Sequence, residues 1–396
     1  MQKLLIFFSL LVLYQGTLNA QTNGQPMAKL IDVQFKFAEQ QYKALARNVP
    51  ADQMPKTYYP ETGKSENSNT GWWCSGFFPG SLLYIYEYTK DNELLKEAKA
   101  RLSILEKEKD NKGTHDLGFM MFCSFGNAYR LLKDPAYKAV IDASAASLAT
   151  RYHPGAKVIQ SWGSSKAWGG PVIIDNMMNL ELLTWVTAQG GDKRLQEIAV
   201  NHANSTIKNH FRPDFSSYHV LDYDLVNGNV LKKVTAQGAA DSSAWARGQA
   251  WGLYGFTVMY RFTKDKQYLK QAQEIARFML TDKNMPADMI PYWDYDAPGI
   301  PNTFRDASAG AIMASALLEL AQYVDKNVRK QYVGAAEKAL RTLSSDAYRA
   351  KQGENGGFLL MHSVGSLPHK SEMDVPLTYA DYYYIEALHR YKNWYL

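Results

Sequence analysis

Cysteine is nearly missing from this chain: Cys74 and Cys123 are its two thiols in 396 residues. Two thiols cannot staple a protein of this length, so the fold must rest on a large apolar core. Each sits in an apolar setting, which makes two buried free thiols the expectation, with a Cys74–Cys123 bridge open if their helices touch. Clustered charge is also lacking. The net charge of +5 is spread along the chain, with no Lys/Arg cluster of the kind that tracks nucleic-acid phosphates. No His/Cys grouping suggests a metal, no Gly-rich loop would cradle a phosphate, and no Gly-x-Ser-x-Gly elbow appears. No Pro/Gly/Ser-rich linker divides the chain, which favours one domain.

Long hydrophobic runs are scarce too. The segment from Met1 to Tyr14, with an early Lys3 and a polar exit through Gly16 to Ala20, reads as an export signal. It is too short to span a bilayer, and nothing later is long enough. A signal over residues 1–20 and a mature domain over 21–396 are expected, without membrane insertion. The expected destination is the periplasm.

Helical periodicity is what the chain has in abundance. Five aspartates each open a charged, amphipathic stretch: Asp91, Asp134, Asp192, Asp265 and Asp325. Each is placed as an N-cap, and Pro135 suits a first helical position. Between them lie stretches rich in Gly, Ala, Met and aromatics, at Leu117–Leu132, Asp175–Ala188, Ala244–Phe262, Ala307–Val324 and Thr378–Lys392. With a first pair at Met27–Ala46 and up to Tyr88, six charged helices alternate with six apolar ones. The steps between capping aspartates are 43, 58, 73 and 60 residues, as expected of one helix-plus-helix unit with loops of different length. Such alternation describes two concentric rings, an all-α (α/α)6 barrel. Tyr218–Tyr223 and Val230–Val234 suggest a small hairpin in the longest loop.

Chemistry in such a barrel belongs where loops lead into the inner helices, and unusual residues stand there. Asp116 and Asp175 occupy equivalent places before adjacent inner helices, followed by apolar residues where the outer caps are followed by Lys or Asn. Each is either an N-cap or a working acid. Two acids converging on one cavity split their titrations, leaving one neutral acid and one carboxylate. Trp73, with Gly76 read as letting a ligand approach, is a sugar platform or core; Trp72 has core packing as its rival role. Arg247 lies in a nearly uncharged helix and needs a partner, either Asp241 or Asp306 or a substrate carboxylate. Trp251 falls four residues on, on the same face. Aromatic residues make up 13% of the chain, many beside Gly and Asp, a pattern that suits flat rings facing sugars.

Four stretches then carry a resemblance: Trp73-Cys-Ser-Gly-Phe77, His115-Asp-Leu-Gly-Phe119, Ile174-Asp-Asn-Met-Met-Asn179 and Gln237-Gly-Ala-Ala-Asp-Ser-Ser-Ala-Trp-Ala-Arg-Gly-Gln-Ala-Trp251. Over nearly the whole mature chain the sequence resembles the unsaturated glucuronyl hydrolases, family 88 of the glycoside hydrolases. The unsaturated rhamnogalacturonyl hydrolases of family 105 share the barrel and an essential Asp, but the last two motifs pull towards family 88. The resemblance implies a substrate left by polysaccharide lyases, an oligosaccharide ending in a 4,5-unsaturated uronic acid. It implies Asp175 as general acid and base, with Asp116 holding sugar hydroxyls and keeping Asp175 protonated. It also implies Trp73 stacking on the sugar, His219, Gln237, Arg247 and Trp251 shaping the uronate subsite, and Asn176 beside the acid. Ser363 and Ser366 fall where some members bind sulfate; Pro368 stands where those members carry a lysine, with Lys370 two residues on. No metal or organic cofactor is implied. Two other classes compete: an ordinary glycosidase using Asp116 and Asp175 as acid and base, and a non-catalytic sugar-binding protein.

Overall fold

A computed structural model describes residues 24–396, so the signal read over residues 1–20 lies outside the described residues. The outer ring is made of helices Met27–Asn48, Asn92–Leu105, Pro135–Ala149, Lys193–Asn209, Lys266–Thr281 and Lys326–Leu343. Cap chemistry explains where five of them start. The carboxylates of Asp91, Asp134, Asp192, Asp265 and Asp325 each accept a backbone N–H from the first turn, a contact typically worth about 1 kcal/mol. Each outer helix buries one stripe. In Lys326–Leu343 this is Tyr332, Ala336, Ala339, Leu340 and Leu343, the spacing of a single helical face.

The inner ring starts with Phe77–Thr89. It continues through Gly118–Gly126 with Asn127–Leu132, Leu180–Ala188, Ala246–Thr263, Ala307–Leu320 and Thr378–Tyr395. These helices are apolar around most of their circumference; Ala307–Leu320 is buried at every residue. Thr378–Tyr395 packs against both Ala307–Leu320 and Phe77–Thr89, which closes the ring. The (α/α)6 barrel expected from the alternation is the observed fold. Cys74 and Cys123 are both free.

Two inner helices begin irregularly, and they are the two that follow Asp116 and Asp175. Gly118–Gly126 is a π-helical run, and Ile174–Asn179 is a 3-10 turn ahead of Leu180–Ala188. Close packing between the two accounts for part of this. A Cβ on Gly118 would lie 2.5 Å from the Asn179 Cα, and the Asn179 side-chain oxygen accepts the Phe119 N–H at 3.0 Å. Wide turns of this kind recur at functional sites.

The hairpin expected in the longest loop is present as Val220–Tyr223 paired with Val230–Val234, and a third strand, Pro171–Ile173, joins its free edge. In that register Ile173 lies opposite Val220, and the Ile174 N–H donates to the His219 carbonyl at 3.1 Å. Asp175 and His219 therefore leave neighbouring strand ends, and His219 Nε2 comes within 3.7 Å of Asp175 Oδ2.

Candidate functional site

The barrel has a cavity at each end, and size does not choose between them. The larger, about 560 Å³, lies where the inner helices finish. Its charged groups already satisfy one another. Arg261 pairs with Glu181 and Glu319, and Arg390 with Glu319 and Glu386. Tyr254 donates to Glu386 and accepts from Arg390, while Arg130 is bidentate on Glu87. The smaller cavity, about 370 Å³, lies where the inner helices begin. Here Asp175 Oδ2 and His219 Nε2 are buried without a partner, and so is Trp251 Nε1 just behind the wall. Buried polar atoms left open are costly and mark a place built for something else.

Neither acid is a helix cap. Asp175 and Asp116 follow and precede residues whose backbones open the two irregular helices, and neither helix start has a side-chain cap. Asp116 instead exchanges bonds with Thr114: its N–H donates to Thr114 Oγ1 at 3.0 Å, and its Oδ2 accepts the same hydroxyl at 3.2 Å. Both acids line the cavity. Burial pushes Asp175 up to about 7; Arg247 opposes that rise and the negative charge of Asp116 adds to it. Desolvation wins because a carboxylate there gives up water without gaining a full set of donors.

His219 stands 3.7 Å from Asp175 Oδ2 through its Nε2. Its Nδ1 accepts two backbone N–H groups, from Ala236 at 3.0 Å and Gln237 at 3.1 Å. An acceptor nitrogen carries no proton, so in the neutral ring the hydrogen is on Nε2, facing the acid. Burial, seconded by the charge of Arg247, depresses His219 to about 3, which keeps the ring neutral. The ring also packs on Trp245, centroids 4.5 Å apart.

Arg247 has found its partner inside the protein. Its guanidinium donates to Asp306 Oδ2 at 3.1 Å, Val364 O at 2.5 Å and Gly365 O at 2.6 Å, and lies over the Trp245 and Tyr379 rings. It reaches the cavity as a positive charge already anchored, with Asp306 and not Asp241 as its counter-ion. Trp73 touches Phe77, Phe119 and Tyr379 and still presents a face to the cavity. Gln237 and Ser366 also line it, the serine bonded to His369 Nδ1 at 2.7 Å.

Three sequence candidates do not line the cavity. Asn176 is wholly buried: its Oδ1 meets His115 Nδ1 at 2.9 Å and its amide donates to Ile159 O at 2.6 Å. It ties the segment bearing Asp116 to the segment bearing Asp175. Trp251 lies behind the wall, packed on Phe119 and Tyr383. Ser363 is wholly buried in the strand Ser363–Ser366, and Lys370 is also outside the cavity. Other lining residues had a different reading in the sequence, or none. Trp72 is 43% exposed at the mouth with Lys56 over its ring, so the core role weighed for it is not the observed one. Trp162, between Ser161 and Gly163, carried the same ring-beside-glycine signal as Trp72 after Gly71. Glu372, 3.6 Å from Lys56, carried none.

Comparison with known proteins fits this geometry. The Glycosyl Hydrolase Family 88 profile matches residues 46–395, most of the chain. The chain belongs to that family. A relative described as an unsaturated glucuronyl hydrolase, from Formosa agariphila, is 47% identical over 325 residues, covering 81% of this chain and 80% of that protein. Another of the same description, from Bacillus sp. strain GL1, is 35% identical over 82% of this chain and 87% of its own. Among solved structures, an unsaturated glucuronyl hydrolase specific for heparin superposes with a TM-score of 0.89 at 45% identity, over 92% of this chain and 97% of that one. As a family 88 member, the protein is an enzyme of the glycoside hydrolase class.

Proposed function

We propose that this family 88 protein removes the 4,5-unsaturated uronic acid from the non-reducing end of lyase-generated oligosaccharides. The observation that carries the proposal is Asp175, a cavity-facing carboxyl that keeps its proton up to about pH 7 beside a second acid. Relatives named as unsaturated glucuronyl hydrolases and unsaturated chondroitin disaccharide hydrolases support the substrate class.

The unsaturated uronate is a vinyl ether, because C5 carries both the double bond and the ring oxygen. Asp175 gives its proton to C4; the π electrons form the new C4–H bond and positive charge develops on C5 and the ring oxygen. Asp175, now a carboxylate, takes a proton from water as that water attacks C5. The hemiketal opens and the glycosidic bond breaks by rearrangement. Because attack is at C5, the carboxylate spacings that separate retaining from inverting glycosidases do not govern the outcome. An acid whose pKa lies near the working pH suits both halves of this cycle. Asp116 holds sugar hydroxyls and, through its charge, helps Asp175 keep its proton; Trp73, with Trp72 and Trp162 at the mouth, offers rings to the sugar faces. Gln237 and the anchored Arg247 shape the uronate subsite. Export through the segment over residues 1–20 belongs to the same proposal.

The test is spectroscopic. The double bond is conjugated to the uronate carboxylate and absorbs in the ultraviolet, so hydration erases it. Mixing purified protein with an unsaturated glycosaminoglycan disaccharide should remove that absorbance catalytically. Equal turnover of a saturated analogue would replace this reading with an ordinary glycosidase, and binding without turnover of either would leave a sugar-binding protein.

A further inference from the structure

Three buried polar atoms converge at one point of this site without partners: Asp175 Oδ2, His219 Nε2 and Trp251 Nε1. Two of them are N–H donors and the third is an oxygen. The indole nitrogen is a donor only, and the double backbone clamp on His219 Nδ1 makes its Nε2 a donor as well. Trp251 bears on Asp175 in the direction that favours the carboxylate. Yet His219 Nε2 stands 3.7 Å from Asp175 Oδ2, just outside hydrogen-bond reach. While Asp175 is a neutral acid it has little call on two N–H groups. As a carboxylate it needs them.

We infer that His219 and Trp251 are positioning residues that serve Asp175 rather than the sugar, a fixed donor pair that takes up the charge of the Asp175 carboxylate as its proton passes to C4. The inference rests on the proposed reaction and names what bears the negative charge once the proton has gone. Both donors are rigidly mounted, which is what makes the waiting geometry possible. His219 is held by two backbone bonds and by the Trp245 ring, and Trp251 by Phe119 and Tyr383. Neither can swing away to find another acceptor. The other groups facing Asp175 do not supply this service. Asp116 repels the forming charge, Arg247 attracts it while bonded to Asp306 and two carbonyls, and Glu372 across the cavity is itself a carboxyl. Preorganised donors aimed at charge that appears during the reaction lower its barrier without having to reorganise.

Trp251→Phe removes one N–H and keeps most of the ring. The expected result is kcat lower by about 10-fold with KM within roughly twofold, since the lost bond belongs to the reaction and not to sugar binding. The alkaline limb of the kcat profile should move to higher pH, because an acid deprived of a donor to its anion holds its proton more tightly. His219→Leu should act in the same direction, and His219→Gln, which keeps an N–H near the Nε2 position, should recover much of the loss. Titration of the Asp175 carboxyl carbon by NMR reads the same pair without turnover, and so stands even if the substrate class is wrong. An Asp175 pKa raised in Trp251→Phe and in His219→Leu supports the donor pair. An unchanged titration in both, or a Trp251→Phe effect confined to KM, overturns it.

Discussion

Asp175→Asn should abolish turnover of the unsaturated disaccharide while leaving the sugar bound. One residue is acid in the first half of the cycle and base in the second, and an amide serves in neither. General acid–base assistance is commonly worth about 10²–10⁴-fold, so a loss of about 10³-fold or more in kcat is expected. Calorimetric affinity for the intact disaccharide should stay within a few-fold. In the wild type, kcat should fall as pH rises through about 7, where Asp175 loses its proton. A pH-independent rate, or an active Asn variant, would remove Asp175 from the chemistry.

The same substitution should stabilise the fold, and the pH at which it does so follows from linkage. Asp175 titrates at 3.8 in an ordinary setting and at about 7 in the folded protein. The native state therefore holds this proton more tightly than the unfolded chain does, and stability falls as pH rises between those values. At about 1.4 kcal/mol per unit, the buried charge costs on the order of 4 kcal/mol once pH exceeds 7. Asn carries no charge at any pH. Its melting advantage over wild type should be near zero at pH 4 and reach its full size above pH 7. An advantage of the same size at both pH values would mean that something other than this proton is responsible.

Gly76→Ala is expected to have the second-largest effect, and for a reason unrelated to ligand approach. A Cβ at Gly76 would fall on the backbone carbonyls of Phe119 and Met120, well inside van der Waals contact. Flexible side chains can move aside, but these oxygens belong to the π-helical run behind Asp116. The first two inner helices would have to separate, at a cost of about 3 kcal/mol or more. The melting midpoint should drop by several degrees, and kcat should fall too because the displacement passes to Asp116. Gly334 supplies the contrast. It sits in the outer helix Lys326–Leu343 with nothing within 4 Å of an added Cβ. Gly334→Ala should stabilise by about 0.5–1 kcal/mol through helix propensity. Melts of the two variants at a matched scan rate check both signs.

The outer ring was legible because its signal is local: an aspartate, a polar first turn and one apolar stripe stand in a single stretch of chain. The inner ring was legible by composition. Its irregular starts were not, since the π run and the 3-10 turn depend on how Gly118 meets Asn179 from another helix. The site divides in the same way. Asp116 and Asp175 stood out because they broke the pattern of the ordinary caps, whereas Asn176 and Ser363 were near the right place in sequence and turned inward in space. Gly76 was a true signal of close approach read against the wrong partner. Trp72 and Glu372 needed the hairpins at the mouth, whose packing no single stretch reveals.

The wide run Gly118–Gly126 has a bearing on how this chain tolerates length changes. A π turn holds one residue more than an α turn, so the helix carries a surplus residue just after Asp116. Deleting one residue from that run would let the helix tighten to α geometry with the segments on either side keeping their phase, because an i→i+5 turn shortens to an i→i+4 turn. Asp116 would still face the cavity. The same deletion from a regular stretch such as Ala307–Leu320 would turn everything beyond it by about 100°, one residue's share of a 3.6-residue turn, so the irregular run is a place in the inner ring where a lost codon leaves the two acids together.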